Sequence, residues 1–377
     1  MSHKIRLGIL GGGGDSLIGV VHRIASSMHD RYQITGGCFN PDIIQNKAFG
    51  AHIGVDPNRV YDTFEILIEE ELKLPKEERM EVISVLTPNF LHFPMAKKLL
   101  ESGFNVICEK PLTTTYAEAE ILAKLQKKQQ VVFAVTYTYT GYPMVRQMKQ
   151  MIADGALGKI QKVDLQYYQG WINPVIHDPK QRTTVWRLDP EKGGMSCCIG
   201  DIGTHAFDML EYATGERVES ILADLNYRYP DNQMDVDGTI LVRFNEFCKG
   251  VLRVSQIATA EENNFTVQIY GEKGGLKWAQ EDPNYLTYLQ EGKPLQIIKP
   301  GHDFLSAFAQ EAAKLPPGHP EGIFDSMGNI YHGVAKAIRG EEVKEGAYPD
   351  ITEGVRGMRF IEKVLDSHKN GNVWVNL

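Results

Sequence analysis

Apolar residues in the first third of the chain fall into two alternating kinds of segment. Ile5 to Gly11, Tyr32 to Phe39, Met80 to Leu86, Asn105 to Cys108 and Val131 to Thr136 are short runs rich in branched or aromatic residues. Runs of that length, bounded by turn residues, predict strands buried on both faces. Between them, Ile18 to His29, Val60 to Glu71, Pro94 to Ser102 and Tyr116 to Lys128 carry apolar residues at helical spacing. Pro94 is tolerated in a first helical turn, and Gly103 supplies the stop. Alternating strands and helices predict an α/β domain on a parallel sheet with both faces covered.

Near Tyr142 the pattern changes. Met144 to Asp154 predicts a helix that ends around Gly155 and Gly158. Longer segments follow in which apolar and polar residues alternate: Ile160 to Gln169, Val218 to Tyr229, Gly238 to Phe244, Gly250 to Ile257 and Phe265 to Tyr270. That period predicts strands with one wetted face, hence a large open, mostly antiparallel sheet. A helix around Asp201 interrupts them, and helices return at Gly328 to Arg339 and Thr352 to Ser367. Ala260 to Asn264 and Pro316 to Glu321 predict loops. A chain of 377 residues exceeds one core of usual size. The expected division is an α/β domain over residues 1–140 and an α+β domain over 141–377.

Composition narrows the function classes. A net charge of −8 argues against a nucleic-acid surface. Lys124 to Lys128 read as the solvated face of a helix. The five cysteines include no pair at zinc spacing, so no metal site is expected, and a reducing cytoplasm fits. Met1-Ser2-His3-Lys4 runs directly into a strand, which carries no signal-peptide pattern. No apolar run reaches membrane-spanning length.

The candidate chemistry gathers at strand ends and on one helix. The first strand runs into Gly11-Gly12-Gly13-Gly14. Glycines there let backbone approach a pyrophosphate, and the following helix N-terminus favours its charge. Gly11 and Gly13 match the start of a G-x-G-x-x-G turn, and Ile18-Gly19 its end, with extra residues between them. The second strand ends in Asn40-Pro41-Asp42 rather than the usual acid, so Asn40 becomes the candidate ribose partner. NAD is the expected cofactor, with NADP left open. Thr87, Asn89 and His92 follow the third strand, where an open parallel sheet faces its ligand; a turn with Asn89 as cap accounts for them equally well.

Glu109-Lys110-Pro111 ends the fourth strand, and the proline restricts the backbone of Lys110. A lysine there, partly desolvated and near a cationic nicotinamide, would help deprotonate a hydroxyl. Asp201 and His205 stand four apart on a helix and share a face. Histidine suits general acid–base work, and the acid can orient it; a buried pair satisfying each other is the simpler structural alternative. Trp186 and Arg187 are candidates to contact a nicotinamide or a sugar face. Tyr139 and His319 are candidates for substrate contact.

Taken together, these motifs resemble the glucose–fructose oxidoreductase, inositol dehydrogenase and rhizopine catabolism (Gfo/Idh/MocA) family of dehydrogenases. The matching pieces are the glycine turn with Ile18-Gly19-Val20-Val21-His22, then Thr87-Pro88-Asn89-Phe90-Leu91-His92, then Glu109-Lys110-Pro111-Leu112. Gly155 to Ile160, Trp186-Arg187 and Asp201 through His205 complete them. The resemblance implies a Rossmann domain, an α+β domain whose open sheet commonly forms homo-oligomer contacts, and hydride exchange between a nicotinamide and a carbon bearing a hydroxyl on a sugar or polyol. It implies His205 as general base, Lys110 as the group lowering the hydroxyl pKa, and Asp201 as the group positioning alcohol and imidazole. It places Trp186 and Arg187 near the nicotinamide.

His22-Arg23, Thr140 to Arg146 and Gly318 to Gly322 resemble a subgroup of glycoside and anhydrosugar dehydrogenases, which implies oxidation at C3 of a glucose-like ring. An inositol dehydrogenase is the alternative enzyme. A dinucleotide-binding sensor or co-regulator without turnover is the alternative of another class, although the chain keeps both Lys110 and His205.

Overall fold

The computed structural model describes residues 3–245 and 247–377. The chain forms two compact units, Met1–Thr138 with Ile323–Val355, and Tyr139–Gly322 with Arg356–Leu377. Residues 323–355 thus return to the first unit, which a single boundary near residue 140 does not contain.

The first unit is a parallel sheet of β1 (Ile5–Gly11), β2 (Tyr32–Cys38), β3 (Val82–Leu86), β4 (Asn105–Cys108) and β5 (Phe133–Val135), in the order β2-β1-β3-β4-β5. Every side chain of β3 is buried, as an unbroken apolar run requires of a central strand. Helices Leu17–Ser27, Phe64–Lys73, His92–Glu101 and Tyr116–Gln129 connect the strands. Local sequence starts them: Ser16, Thr63 and Thr115 each accept a backbone N–H in the first turn, and Thr115 forms a full capping box with Glu118. The returning helix Ile323–Arg339 lays Met327, Tyr331, Val334 and Ala335 into the core formed by Ile5, Leu7, Val21 and Ala25.

Two expectations shift in this unit. The helix expected from Val60 starts at Phe64, because Thr63 caps it and Val60 instead bridges Gly37. A further helix, Ile43–His52, follows Asp42; its buried residues are Asn46 and Gly50, so it shows little apolar period.

The second unit is a nine-stranded sheet: β6 (Ile160–Tyr168), β7 (Ser220–Asn226), β8 (Asp237–Arg243), β9 (Lys249–Ser255), β10 (Asn264–Gly271), β11 (Gly275–Ala279), β12 (Leu286–Leu289), β13 (Gln296–Ile298) and β14 (Val375–Asn376). Their order is β13-β12-β11-β10-β6-β9-β8-β7-β14. The β6–β9 pair is parallel and the remaining pairs are antiparallel. In β8, Gly238, Ile240 and Val242 are buried while Thr239, Leu241 and Arg243 are exposed, the alternation of a sheet covered on one face. Helices Pro143–Ala153 and Thr204–Thr214 pack on each other, and Thr204–Thr214 also packs on β6. Phe207 stacks on Phe360 of helix Ile351–Lys369, centroids 4.3 Å apart. No described helix is long and apolar enough to cross a membrane.

Candidate active site

In the first unit the candidate residues sit along the C-terminal ends of the parallel strands. β1 runs into the glycine loop, where Gly11 has φ +81° and a Cβ on it would come within 2.9 Å of the Leu86 carbonyl oxygen and of Thr87 Cγ2. This brings the loop against the end of β3. Gly13 N–H donates to the Phe39 carbonyl at 3.1 Å, which ties the loop to the end of β2. A Cβ on Gly19 would lie 1.9 Å from the Gly12 carbonyl oxygen, so only glycine lets the helix approach this closely. Ile18 packs against the core beside it. Arg23 donates to the Gly12 carbonyl at 2.8 Å and stacks over Phe49. Burial lowers the pKa of this arginine from its usual range. A narrow glycine turn against a helix start fits a dinucleotide pyrophosphate.

At the end of β2, the Asn40 amide donates to Gln45 Oε1 at 3.1 Å and its carbonyl accepts from Asp42 N–H at 2.9 Å. Asp42 is committed as the cap of Ile43–His52, accepting from Gln45 N–H at 2.9 Å. After β3, Asn89 opens a short turn that leads into helix His92–Glu101. The His92 ring lies between two carbonyl oxygens, Thr87 at 2.8 Å and Pro111 at 2.9 Å. Burial lowers its pKa, while those two acceptors favour its charged form. His92 therefore braces the strand end that carries Thr87 against the one that carries Lys110. Glu109 N–H donates to Val85 O at 3.0 Å, and the Lys110–Pro111 bond is cis.

In the second unit the chain enters helix Thr204–Thr214 through a π-helical turn, Ile199–Gly203, that contains Asp201. Such turns recur at functional sites. Buried Asp235 accepts from Cys197 N–H at 3.0 Å and Ile199 N–H at 2.8 Å. Burial raises the Asp235 pKa, and these donors oppose that rise. Ser196 Oγ accepts from Gly200 N–H at 3.0 Å, so the turn is fixed from two sides.

Asp201 Oδ2 accepts from Gln256 Nε2 at 2.8 Å and stands 3.5 Å from Arg187 Nε. Arg187 in turn stacks on Trp186, its guanidinium carbon 4.4 Å from the ring centroid, with Trp171 at 5.9 Å. His205, buried to 8% exposure, meets the edge of Tyr139 with centroids 4.8 Å apart. The Tyr139 hydroxyl bonds the Tyr167 hydroxyl, which donates to Asn263 Oδ1 at 2.7 Å. Burial raises both phenol pKa values, so both rings stay neutral near neutral pH. His319 lies exposed in its loop, Nδ1 3.2 Å from the Pro316 carbonyl oxygen.

The second unit thus gathers Trp186, Arg187, Asp201, Tyr139 and His205 into one neighbourhood. Gln256, Asp235 and Tyr167 belong there too, and sequence reading missed them because they lie on distant strands or turns and match no motif. Among the described residues, no group of three His, Cys, Asp or Glu side chains could hold a metal ion.

An oxidoreductase family with an NAD-binding Rossmann fold matches residues 5–137, and the GFO/IDH/MocA C-terminal domain matches residues 145–277. The chain is 33% identical to the uncharacterized oxidoreductase YfiI of Bacillus subtilis over all of this chain and 97% of that one. It is 30% identical to levoglucosan dehydrogenase of Pseudarthrobacter phenanthrenivorans over 54% of this chain and 56% of that one. A crystal structure of an inositol dehydrogenase homolog from Azotobacter vinelandii, complexed with NAD+, superposes with a TM-score of 0.93 at 32% identity, covering 100% of this chain and 98% of that one. The chain belongs to the Gfo/Idh/MocA family of oxidoreductases.

Proposed function

We propose that this protein is an NAD-dependent dehydrogenase that oxidises a secondary hydroxyl of a sugar or glycoside, at C3 of a glucose-like ring. One observation carries the reading: an imidazole and a carboxylate stand on one helical segment, the carboxylate held by Gln256 and Arg187. Bound at the glycine loop, NAD+ supplies the hydride acceptor. His205 takes the hydroxyl proton as general base, a role worth about 10² to 10⁴ in rate. Asp201 orients the alcohol and the imidazole. Lys110 favours the developing alkoxide through its positive charge.

The cofactor residues of the proposal are Gly11, Gly13, Ile18, Gly19, Asn40, Thr87, Asn89, His92, Glu109, Lys110, Trp186 and Arg187, with His92 acting as a brace. Tyr139 supports the His205 ring, and His319 is the outer substrate candidate. A second reading, oxidation of an inositol ring, gains support from a neighbouring structure crystallised with NADH and myo-inositol, 31% identical over the full chain. Both substrates are rings bearing secondary hydroxyls, and the same groups serve both.

A panel of glucosides, anhydrosugars, free sugars and inositols, assayed for NADH formation, tests the proposal. Turnover of a glycoside with a 3-keto product supports the first reading, and turnover restricted to inositol supports the second. Silence across the panel with NAD+ bound would replace both with a dinucleotide sensor.

A further inference from the structure

The imidazole of His22, a group that the proposed chemistry does not use, is completely buried between two polar partners. Its Nε2 lies 2.9 Å from Glu109 Oε1 and its Nδ1 lies 2.7 Å from the Tyr331 hydroxyl. That hydroxyl also meets Ser84 Oγ at 2.8 Å. Thr136 Oγ1 donates to the same Glu109 oxygen as His22. Tyr331 is held in its turn, its carbonyl accepting from the Tyr32 hydroxyl at 2.7 Å. His22 and Thr136 therefore both meet the carboxylate that immediately precedes Lys110, and Tyr331, Ser84 and Tyr32 stand behind the imidazole.

The protons along this chain can be placed. Burial works to raise the Glu109 pKa, but the His22 hydrogen bond and charge, Lys110 and Thr136 outweigh it and hold the carboxyl at about 2. An ionised carboxylate only accepts, so Nε2 of His22 carries a proton. Burial keeps the Tyr331 phenol neutral. Its hydroxyl then donates to Nδ1 when the ring is neutral, and to Ser84 when the ring is charged. Cys108 and His92 also face Glu109, and burial disfavours the charged form of each. A carboxylate that is nearly all buried keeps its charge only while its donors stay in place.

We propose that His22 is a positioning residue for the reaction: bridging Glu109 to the Tyr331–Ser84 hydroxyl pair, it keeps a fixed negative charge beside Lys110 and orients the backbone that carries the lysine. This inference rests on the dehydrogenase reading for Lys110, but its structural half stands apart from turnover. The His22 side chain links the helix after the glycine loop to the Glu-Lys-Pro turn. It would make cofactor seating and lysine placement interdependent.

The test compares His22→Leu, which removes the donor, with His22→Gln, which keeps an N–H for Glu109, and Tyr331→Phe, which removes the hydroxyl bridge. Circular dichroism and thermal melting check that each folds. The first readout is the carboxyl 13C resonance of Glu109 in glutamate-labelled full-length protein, assigned through Glu109→Gln. In wild type and His22→Gln the resonance stays ionised down to about pH 4, and in His22→Leu it titrates at least about one unit higher than in wild type. The second readout is kcat against pH on the best panel substrate. His22→Leu falls roughly tenfold to a hundredfold and gains an acid limb, His22→Gln recovers most of the loss, and Tyr331→Phe lies between.

An unmoved Glu109 titration in His22→Leu overturns the linkage. A moved titration with wild-type kcat and pH profile overturns the role in the reaction. If wild type turns over no panel substrate, the dehydrogenase reading fails while the carboxyl titration still decides the linkage.

Discussion

Gln256 donates its side-chain amide to Asp201 at 2.8 Å, from the residue that follows β9 to the π-helical turn ahead of helix Thr204–Thr214. The orientation of the amide is fixed at both ends, because its oxygen accepts from the buried Cys197 thiol at 3.4 Å. Arg187 Nε stands 3.5 Å from the same oxygen, so Asp201 Oδ2 has a cation beside the amide that donates to it. Gln256→Leu is expected to lower kcat/KM by roughly tenfold to a hundredfold, the value of a hydrogen bond to a charged group. Gln256→Glu sets a second carboxylate against Asp201 and is expected to move the acid limb of the kcat/KM profile to higher pH. Wild-type profiles in both variants would show that Asp201 needs no such support.

The close approach of Gly19 to the glycine loop gives a prediction about cofactor binding alone. A Cβ there would meet the Gly12 carbonyl oxygen, a backbone atom that yields only if the loop moves. Gly19→Ala is expected to weaken NAD+ binding by at least about tenfold, measured by isothermal titration, while the second unit keeps its near-ultraviolet circular dichroism. Unchanged affinity would place the pyrophosphate away from this loop.

Glu353 supplies a pH dependence of stability with a definite sign. Burial, the hydrogen bond to Asp350 and the charge of Asp350 raise its carboxyl to about 7. A carboxyl raised on folding contributes stability that is fully present below its unfolded pKa, near the usual 4.5, and lost as pH rises through about 7. Thermal melting of wild type is therefore expected to fall between those values, and Glu353→Gln is expected to flatten that fall and melt higher at alkaline pH. Parallel curves for the two proteins would remove the assignment.

The Phe207–Phe360 stack joins the helix that carries His205 to the C-terminal helix inside the second unit. Both rings are at most 1% exposed. Phe207→Ala is expected to destabilise the protein by about 3 to 5 kcal/mol in urea unfolding. A loss below about 1 kcal/mol would mean that the neighbouring side chains close the cavity.

The strands of the first unit were legible because each is a short apolar run ended by glycine, proline or a polar cluster, and the parallel sheet follows from their alternation with helices. Helix Ile43–His52 was not, since Asn46 and Gly50 form its buried face. The strands β11, β12 and β13 are short, and β13 is mostly exposed, so they lack the alternation that marks β8. At the candidate site, the sharing of one helical segment by Asp201 and His205 was legible from their spacing, although the turn holding Asp201 is π-helical rather than α-helical. Gln256, Asp235 and Tyr167 meet the candidate residues or the turn that carries them from segments distant in sequence and carry no local signature. Asn40 and Asp42 show the reverse case: they stand where a ribose ligand is expected, yet their side chains are engaged in starting the next helix.

The measurement closest to the central claim is paired: NAD+ affinity and NADH formation on the best panel substrate, in wild type, Lys110→Ala and His205→Ala. Near-wild-type NAD+ affinity in His205→Ala, with turnover lower by at least about 10² in both variants, is the predicted result. Full turnover in either variant would contradict the assigned proton chemistry.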